Sequence, residues 1–280
     1  MIKMQDIDFL IIGATKSATT WLQRALQADK TIYMPDPEIH YFSREFERGE
    51  NWYLSQFDCE AADRVIGEKS NSYLEEPEAS TRILDALPQA KMIVQMRNPV
   101  ERAYSDYCML YRRGEVDRRI ERHLDPASAS DQRFISSGHY DVQLERFLRC
   151  FGREQFLILL YEDIATAPER QVHQVRDFLG LPKAEFPETL AAKVKDKTTK
   201  IVPPSLQRFA KPLRPLIEPL RGTAAFSSLT AQLRREVNYP VLTDTLRAKL
   251  TDHFAPHIDA LETAIGKDLS AWRSKQTHAA

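Results

Sequence analysis

The apolar positions of this chain fall into two patterns. Four short runs are almost continuously apolar: Asp8–Gly13 (D-F-L-I-I-G), the segment around Arg64–Gly67, Lys91–Met96 (K-M-I-V-Q-M) and Gln155–Tyr161 (Q-F-L-I-L-L-Y). Runs of this length predict parallel strands covered on both faces. Between them, apolar residues recur every three or four positions, as an amphipathic helix requires. Such stretches cover Thr19–Ala28, Glu78–Leu87, Val100–Tyr111 behind Pro99, Val142–Phe151, and Glu169–Leu179, which Gly180 would close as a C-cap. Strand and helix patterns in alternation predict an α/β fold, a doubly wound parallel sheet flanked by helices. Ligands of such sheets sit at the carboxyl ends of the strands.

The last third changes character. Lys193–Lys200 (K-V-K-D-K-T-T-K) is polar and basic, prolines punctuate Pro203 to Pro219, and Leu246–Ile265 returns to helical spacing through Leu250, Phe254, Ile258, Leu261 and Ile265. The expected organisation is a single domain over 1–280, with an α/β core over 1–182 and a loop-and-helix extension over 183–280.

Composition narrows the partners. The 280 residues carry 39 basic and 40 acidic side chains, a formal net charge of -1. That balance argues against a broadly basic nucleic-acid binder; an anionic ligand would have to be held by local cations. Cys59, Cys108 and Cys150 form neither a metal-ligand pair nor a disulfide framework, which fits a reducing, cytoplasmic compartment. The longest early apolar run, Phe9-Leu10-Ile11-Ile12, is too short for a signal peptide or a membrane span. A soluble protein is expected, with homo-oligomerisation left open.

Two strand ends carry candidate chemistry. Phe9–Ile12 runs into Gly13-Ala14-Thr15-Lys16-Ser17-Ala18-Thr19-Thr20-Trp21. A strand, a small-residue loop and a helix start aim backbone N–H groups at an anion. Lys16 adds a positive charge, and Ser17, Thr19 and Thr20 add hydroxyl donors. The spacing fails the G-x-x-x-x-G-K-[ST] pattern of magnesium-nucleotide loops. A simple helix start capped by Ser17 or Thr19 is the alternative reading. Lys91–Met96 ends in Arg97-Asn98-Pro99, with Ser105 two turns into the following helix. An arginine fork plus a hydroxyl suits a phosphate monoester.

Together, K-S-A-T-T-W-L after one strand and R-N-P-V-E-R-A-Y-S-D-Y after another resemble the sulfotransferases that use 3'-phosphoadenosine 5'-phosphosulfate (PAPS), closest to the heparan-type branch and its bacterial relatives. Pro37-Glu38-Ile39-His40-Tyr41-Phe42, Gly67-Glu68-Lys69-Ser70-Asn71-Ser72-Tyr73, Gly138-His139-Tyr140 and Asp268-Leu269-Ser270-Ala271-Trp272 follow the same family's later segments. The resemblance implies a P-loop-containing fold and transfer of a sulfuryl group from PAPS to a hydroxyl or amine of a glycan, lipid or small molecule. It implies adenosine 3',5'-bisphosphate as product and no metal. It assigns PAPS binding to Lys16, Ser17, Ala18, Thr19, Thr20, Trp21, Arg97 and Ser105, catalysis to Lys16, Glu38 and His40, and acceptor contacts to Glu38, His40 and Lys69. Glu38 is the first choice of base and His40 the second. An extended segment would point both the same way. Three departures stand out. Ala18 replaces a usual glycine and should keep that position out of positive φ; Asn71 replaces a usual proline; only Lys193–Lys200 could serve as the family's late basic loop. A P-loop kinase or hydrolase, and a non-catalytic nucleotide-binding module, are the rival readings.

Overall fold

The structure, a computed structural model, describes residues 2–58, 64–184 and 237–273. Cys59, Lys193–Lys200 and the proline-rich stretch lie outside the described residues. The chain divides into two compact units: one draws on Met1–Arg102, His139–Val194 and Pro256–Ala280, the other on Ala103–Gly138 and Lys195–Ala255.

The first unit is built on a five-stranded parallel sheet. Its strands are β1 (Phe9–Gly13), β2 (Ile32–Tyr33), β3 (Val65–Lys69), β4 (Lys91–Met96) and β5 (Phe156–Leu160), in the order β2-β3-β1-β4-β5. All four continuous apolar runs became strands. β2 has only two residues, too few to leave a period in the sequence. Helices follow as α1 (Thr19–Gln27), α2 (Glu50–Leu54), α3 (Ala79–Ala86), α4 (Pro99–Arg112), α5 (Ile120–Leu124), α6 (Arg133–Ser136), α7 (Tyr140–Cys150), α8 (Tyr161–Ile164), α9 (Pro168–Leu179) and α10 (Asp244–Ile265).

Phe9, Leu10, Ile11 and Ile12 of the central strand are fully buried. Each buried side chain of this size stabilises the fold by about 1.5–3 kcal/mol. On one face, Phe9, Ile11 and Ile93 meet Trp21, Leu22 and Leu26 of α1 and Val172 and Val175 of α9. Gly67 permits the adjacent strand to lie close there: a Cβ at that position would meet the Phe9 ring at 2.3 Å. α9 ends as its sequence predicts, with Gly180 at φ 79° and ψ 20°, a left-handed conformation open to glycine at little cost.

In the second unit Ile120, Leu124, Phe134, Leu250 and Phe254 are buried. Tyr107 Oη donates to the Asp117 carbonyl at 2.7 Å. His123 faces Asp117 at 3.2 Å, and Lys249 donates to Asp125 at 2.6 Å. Among the described residues, no helix is long and apolar enough to cross a membrane.

Candidate active site

The site is built from the first unit, at the carboxyl ends of β1, β3 and β4. Because these strands are parallel neighbours, with Ile11 opposite both Lys69 and Ile93, the segments that leave them emerge side by side.

The loop after β1 is held by its neighbour strand. Ala14 N donates to Gln95 O at 2.7 Å, and Gln95 Nε2 donates to Ser17 O at 2.5 Å. Lys16 and Ala18 both sit at positive φ, 69° and 63°. The expectation for Ala18 therefore fails. The loop imposes a left-handed residue at this N-cap, and the alanine carries a cost of about 1–2 kcal/mol over the right-handed form. Such strain collects at functional loops. The capped-helix alternative fails as well: Ala18 itself is the N-cap of α1, with no side-chain cap. Trp21 N and Leu22 N turn back to Ala18 O at 2.9 and 3.2 Å, while the amides of Thr19 and Thr20 precede the first carbonyl of the helix. Ser17 and Thr19 are buried and Thr20 is exposed. Trp21 places its indole in the hydrophobic core, leaving its backbone N–H on Ala18 O at 2.9 Å.

Arg97 brings β4 to this loop. Its Nη1 donates to Lys16 O at 3.4 Å, and its guanidinium lies 4.3 Å over the Tyr161 ring. Its backbone is fixed on both sides. Tyr140 Oη donates to Arg97 O at 3.0 Å, and Asn98 N donates to Glu162 Oε1 at 2.9 Å. Asn98 Oδ1 accepts from Val100 N at 2.9 Å, the side-chain contact of an N-cap ahead of Pro99. Ser105 lies half-buried on α4 in the second unit.

Glu38 and Lys69 meet across the sheet edge. Lys69 Nζ lies 2.6 Å from Glu38 Oε1 and 3.1 Å from Thr20 Oγ1. The lysine side chain is 1% exposed and the glutamate 22%. The ammonium is thus a buried bridge between the carboxylate and the first turn of α1, not a surface partner of Glu68 or Glu75. Asn71 adds two donors to Glu38, its backbone N at 3.3 Å and its Nδ2 at 3.4 Å. A proline at this position could supply neither.

His40 also reaches Glu38, with Nε2 3.5 Å from Oε2. Strand alternation is not what brings them together. His40 stands at φ 57° in an irregular segment, and its N–H donates to Ser70 Oγ at 2.8 Å. Burial holds the imidazole pKa below its ordinary value, helped by the Arg44 and Lys69 charges and opposed by Glu38 and Glu45. Directly behind lies Glu68, fully buried, receiving Tyr73 Oη at 2.5 Å and Ser70 Oγ at 2.7 Å. Burial pushes its carboxyl up to about 7 despite those two donors.

Lys16, Arg97, Glu38, His40 and Lys69 were legible as candidates. Gln95, Asn71, Ser72 and Ser43 were not. Gln95 did carry a signal, a lone amide inside the apolar run K-M-I-V-Q-M, and so did Asn71, which stands where a proline is usual; Ser72 touches the site across roughly thirty residues of chain and Ser43 at short range, and neither left one.

Comparison with known proteins fits this geometry. Residues 6–203 match the sulfotransferase domain family. Human heparan sulfate glucosamine 3-O-sulfotransferase 6 is 34% identical over 179 residues, 62% of this chain and 52% of that protein. The bifunctional heparan sulfate N-deacetylase/N-sulfotransferase 1 of Caenorhabditis briggsae is 29% identical over 207 residues, 64% of this chain and 23% of that protein. The chain spans about half the length, or less, of these curated relatives. The crystal structure of a sulfotransferase from Alicyclobacillus acidocaldarius superposes with a TM-score of 0.70 at 27% identity, covering 96% of this chain and 99% of that one. Sulfotransferases have the P-loop-containing nucleotide hydrolase-like fold, and this parallel sheet with its loop after β1 is an instance of it. The chain belongs to the sulfotransferase domain family.

Proposed function

We propose that the chain transfers a sulfuryl group from PAPS to a hydroxyl acceptor, an amine being the secondary case, with Glu38 as the base. The observation that carries this reading is the Lys69 bridge. One buried ammonium touches Thr20 on the first turn of the loop helix and Glu38 on the opposite side, so a proton-accepting carboxylate stands beside an anion-binding helix start.

The residues fit the proposed cosubstrate. α1 begins without a side-chain cap, so the amides of Thr19 and Thr20 can receive a phosphate-like anion. Lys16 and Arg97 supply positive charge at the same loop. Lys16 and the backbone of Ala18 to Thr20 would hold the 5'-phosphosulfate, and Arg97 the 3'-phosphate. When bound, PAPS supplies the activated sulfuryl group and departs as adenosine 3',5'-bisphosphate. Lys16 would offset the negative charge that grows on the leaving phosphate, a contribution of about 3–4 kcal/mol for a positioned donor. Glu38 receives the acceptor's proton, while Lys69 and Asn71 fix its oxygens. The reading calls for no metal ion. The near-zero net charge favours a small or lipid-linked acceptor over a long polyanion, which would favour a wide basic cleft.

Two measurements test it. Adenosine 3',5'-bisphosphate at a hundred times its Kd should stabilise the protein by about 2.7 kcal/mol in thermal unfolding, with ATP far weaker; the reverse order refutes PAPS use. A mass-spectrometric screen of native extract with enzyme and PAPS should reveal compounds that gain a sulfate. Lys16→Ala should lower that transfer by about 10²–10³-fold, and full activity in this variant would overturn the mechanism.

A further inference from the structure

Two serines behind the candidate base form a chain that begins and ends on His40. Ser43 Oγ lies 3.1 Å from the His40 carbonyl oxygen, 2.7 Å from Ser72 Oγ, and Ser72 Oγ lies 2.8 Å from His40 Nδ1. The direction of this chain follows from counting protons. A carbonyl only accepts, and each hydroxyl has one proton to give. Ser43 donates to the carbonyl, which also receives the Ser43 and Glu45 N–H groups at 3.2 Å. Ser72 must then donate to Ser43, which leaves Ser72 only lone pairs for the imidazole. Nδ1 has to carry the ring proton. In the neutral ring Nε2 is then an acceptor, and it is Nε2 that faces Glu38 Oε2 at 3.5 Å.

We propose that Ser43 and Ser72 are positioning residues that hold His40 in its Nδ1–H tautomer, so that Nε2 stands ready to take the proton Glu38 collects. The proposal rests on the sulfuryl-transfer reading above. As the acceptor oxygen bonds to sulfur and the sulfur's bond to the 5'-phosphate oxygen of PAPS breaks, releasing adenosine 3',5'-bisphosphate, the acceptor's proton passes to the Glu38 carboxylate. Glu38 then gives that proton to His40 Nε2 and returns to the carboxylate, and the imidazole becomes an imidazolium. The imidazolium releases the proton to solvent, which the 21% exposure of the side chain allows. The opposite tautomer would place an N–H against Glu38 and close this route. The groups facing the ring are Glu38 on its own segment, Arg44 and Glu45 just after it, and Lys69 with Ser72 from β3 and the following turn. Burial and the two cations favour the neutral ring, which the relay requires.

Ser43 lies outside the segments that suggested the family and Ser72 within one of them, and removing either should change the tautomer in the same direction. Ser72→Ala deprives Nδ1–H of its acceptor. Ser43→Ala frees the Ser72 proton to point at Nδ1. Ser72→Thr keeps the hydroxyl and should keep the tautomer. The experiment is long-range ¹H–¹⁵N correlation on ¹⁵N-histidine-labelled full chain at neutral pH, with the His40 signals assigned by their loss in His40→Gln. The expected pattern is Nδ1–H in the wild type and Ser72→Thr, and a shift to Nε2–H in Ser72→Ala and Ser43→Ala. In parallel, kcat for sulfuryl transfer should fall about tenfold or more in the alanine variants, with the acid limb of its pH profile displaced, KM little changed, and recovery in Ser72→Thr. A wild-type Nε2–H tautomer, or a pattern unmoved in both alanine variants, overturns the proposal regardless of activity. The expected tautomers in a protein that transfers no sulfate would sink the functional reading instead and leave the tautomer assignment standing.

Discussion

Glu68→Gln offers a direct view of the charge buried behind the site. In the folded protein burial raises this carboxyl from 4.5 to about 7. The unfolded chain holds the lower value. Between the two, the folded state binds more protons than the unfolded one, so stability falls as pH rises and levels off once both forms are ionised. At about 1.4 kcal/mol per pH unit, the full span destabilises the fold by about 3 kcal/mol, a large share of the roughly 5–15 kcal/mol typical of a domain. Glutamine has no charge to bury. Its amide oxygen can still accept from Tyr73 Oη, while the Ser70 hydroxyl must turn, at about 1 kcal/mol. Urea unfolding at constant ionic strength from pH 5 to 8 should show the variant slightly less stable than wild type at pH 5 and more stable at pH 8. The difference should change by about 2–3 kcal/mol across that range. Taking the difference cancels every other carboxylate. A gap that stays constant with pH would refute a raised Glu68 and the burial argument behind it.

Two further expectations concern the loop. Ala18→Gly removes a left-handed alanine but loosens the unfolded chain by about 0.5–1 kcal/mol, so its urea midpoint should equal or slightly exceed that of wild type. Ala18→Val adds a β-branched side chain at φ 63° and should lower stability by about 2 kcal/mol or more; equal midpoints for both variants would show that the position is unstrained. Gln95→Leu leaves Ser17 O without its donor. It should cost about 1–3 kcal/mol and weaken adenosine 3',5'-bisphosphate in isothermal titration, whereas unchanged affinity would separate Gln95 from the loop's function.

The sheet was readable because burying a parallel strand on both faces demands an unbroken apolar run, and Phe9–Ile12 or Lys91–Met96 can satisfy that in no other short form. The loop and Arg97 were readable because each follows a strand end directly, and Glu38 because its segment resembles the family's. What stayed hidden depends on tertiary geometry. Nothing in G-E-K-S-N-S-Y says that Lys69 turns inward to a carboxylate thirty-one residues earlier, or that Asn71 adds donors to the same group. The strain at Ala18 was misread for a related reason. Local propensity disfavours positive φ in alanine, but Gln95, from another strand, holds the loop at Ala14 and at Ser17, immediately before that position.

The strand order has a dimensional consequence. Lys69 ends β3 and Arg97 follows β4, with β1 between them. Adjacent strands are about 4.8 Å apart, so these two backbone anchors stand about 10 Å apart, a separation fixed by hydrogen-bonded sheet rather than by flexible loop. The sheet works as a ruler. One station carries the carboxylate that Lys69 holds and the other the Arg97 cation, so opposite charges are kept apart by the sheet itself, before any loop contact is optimised.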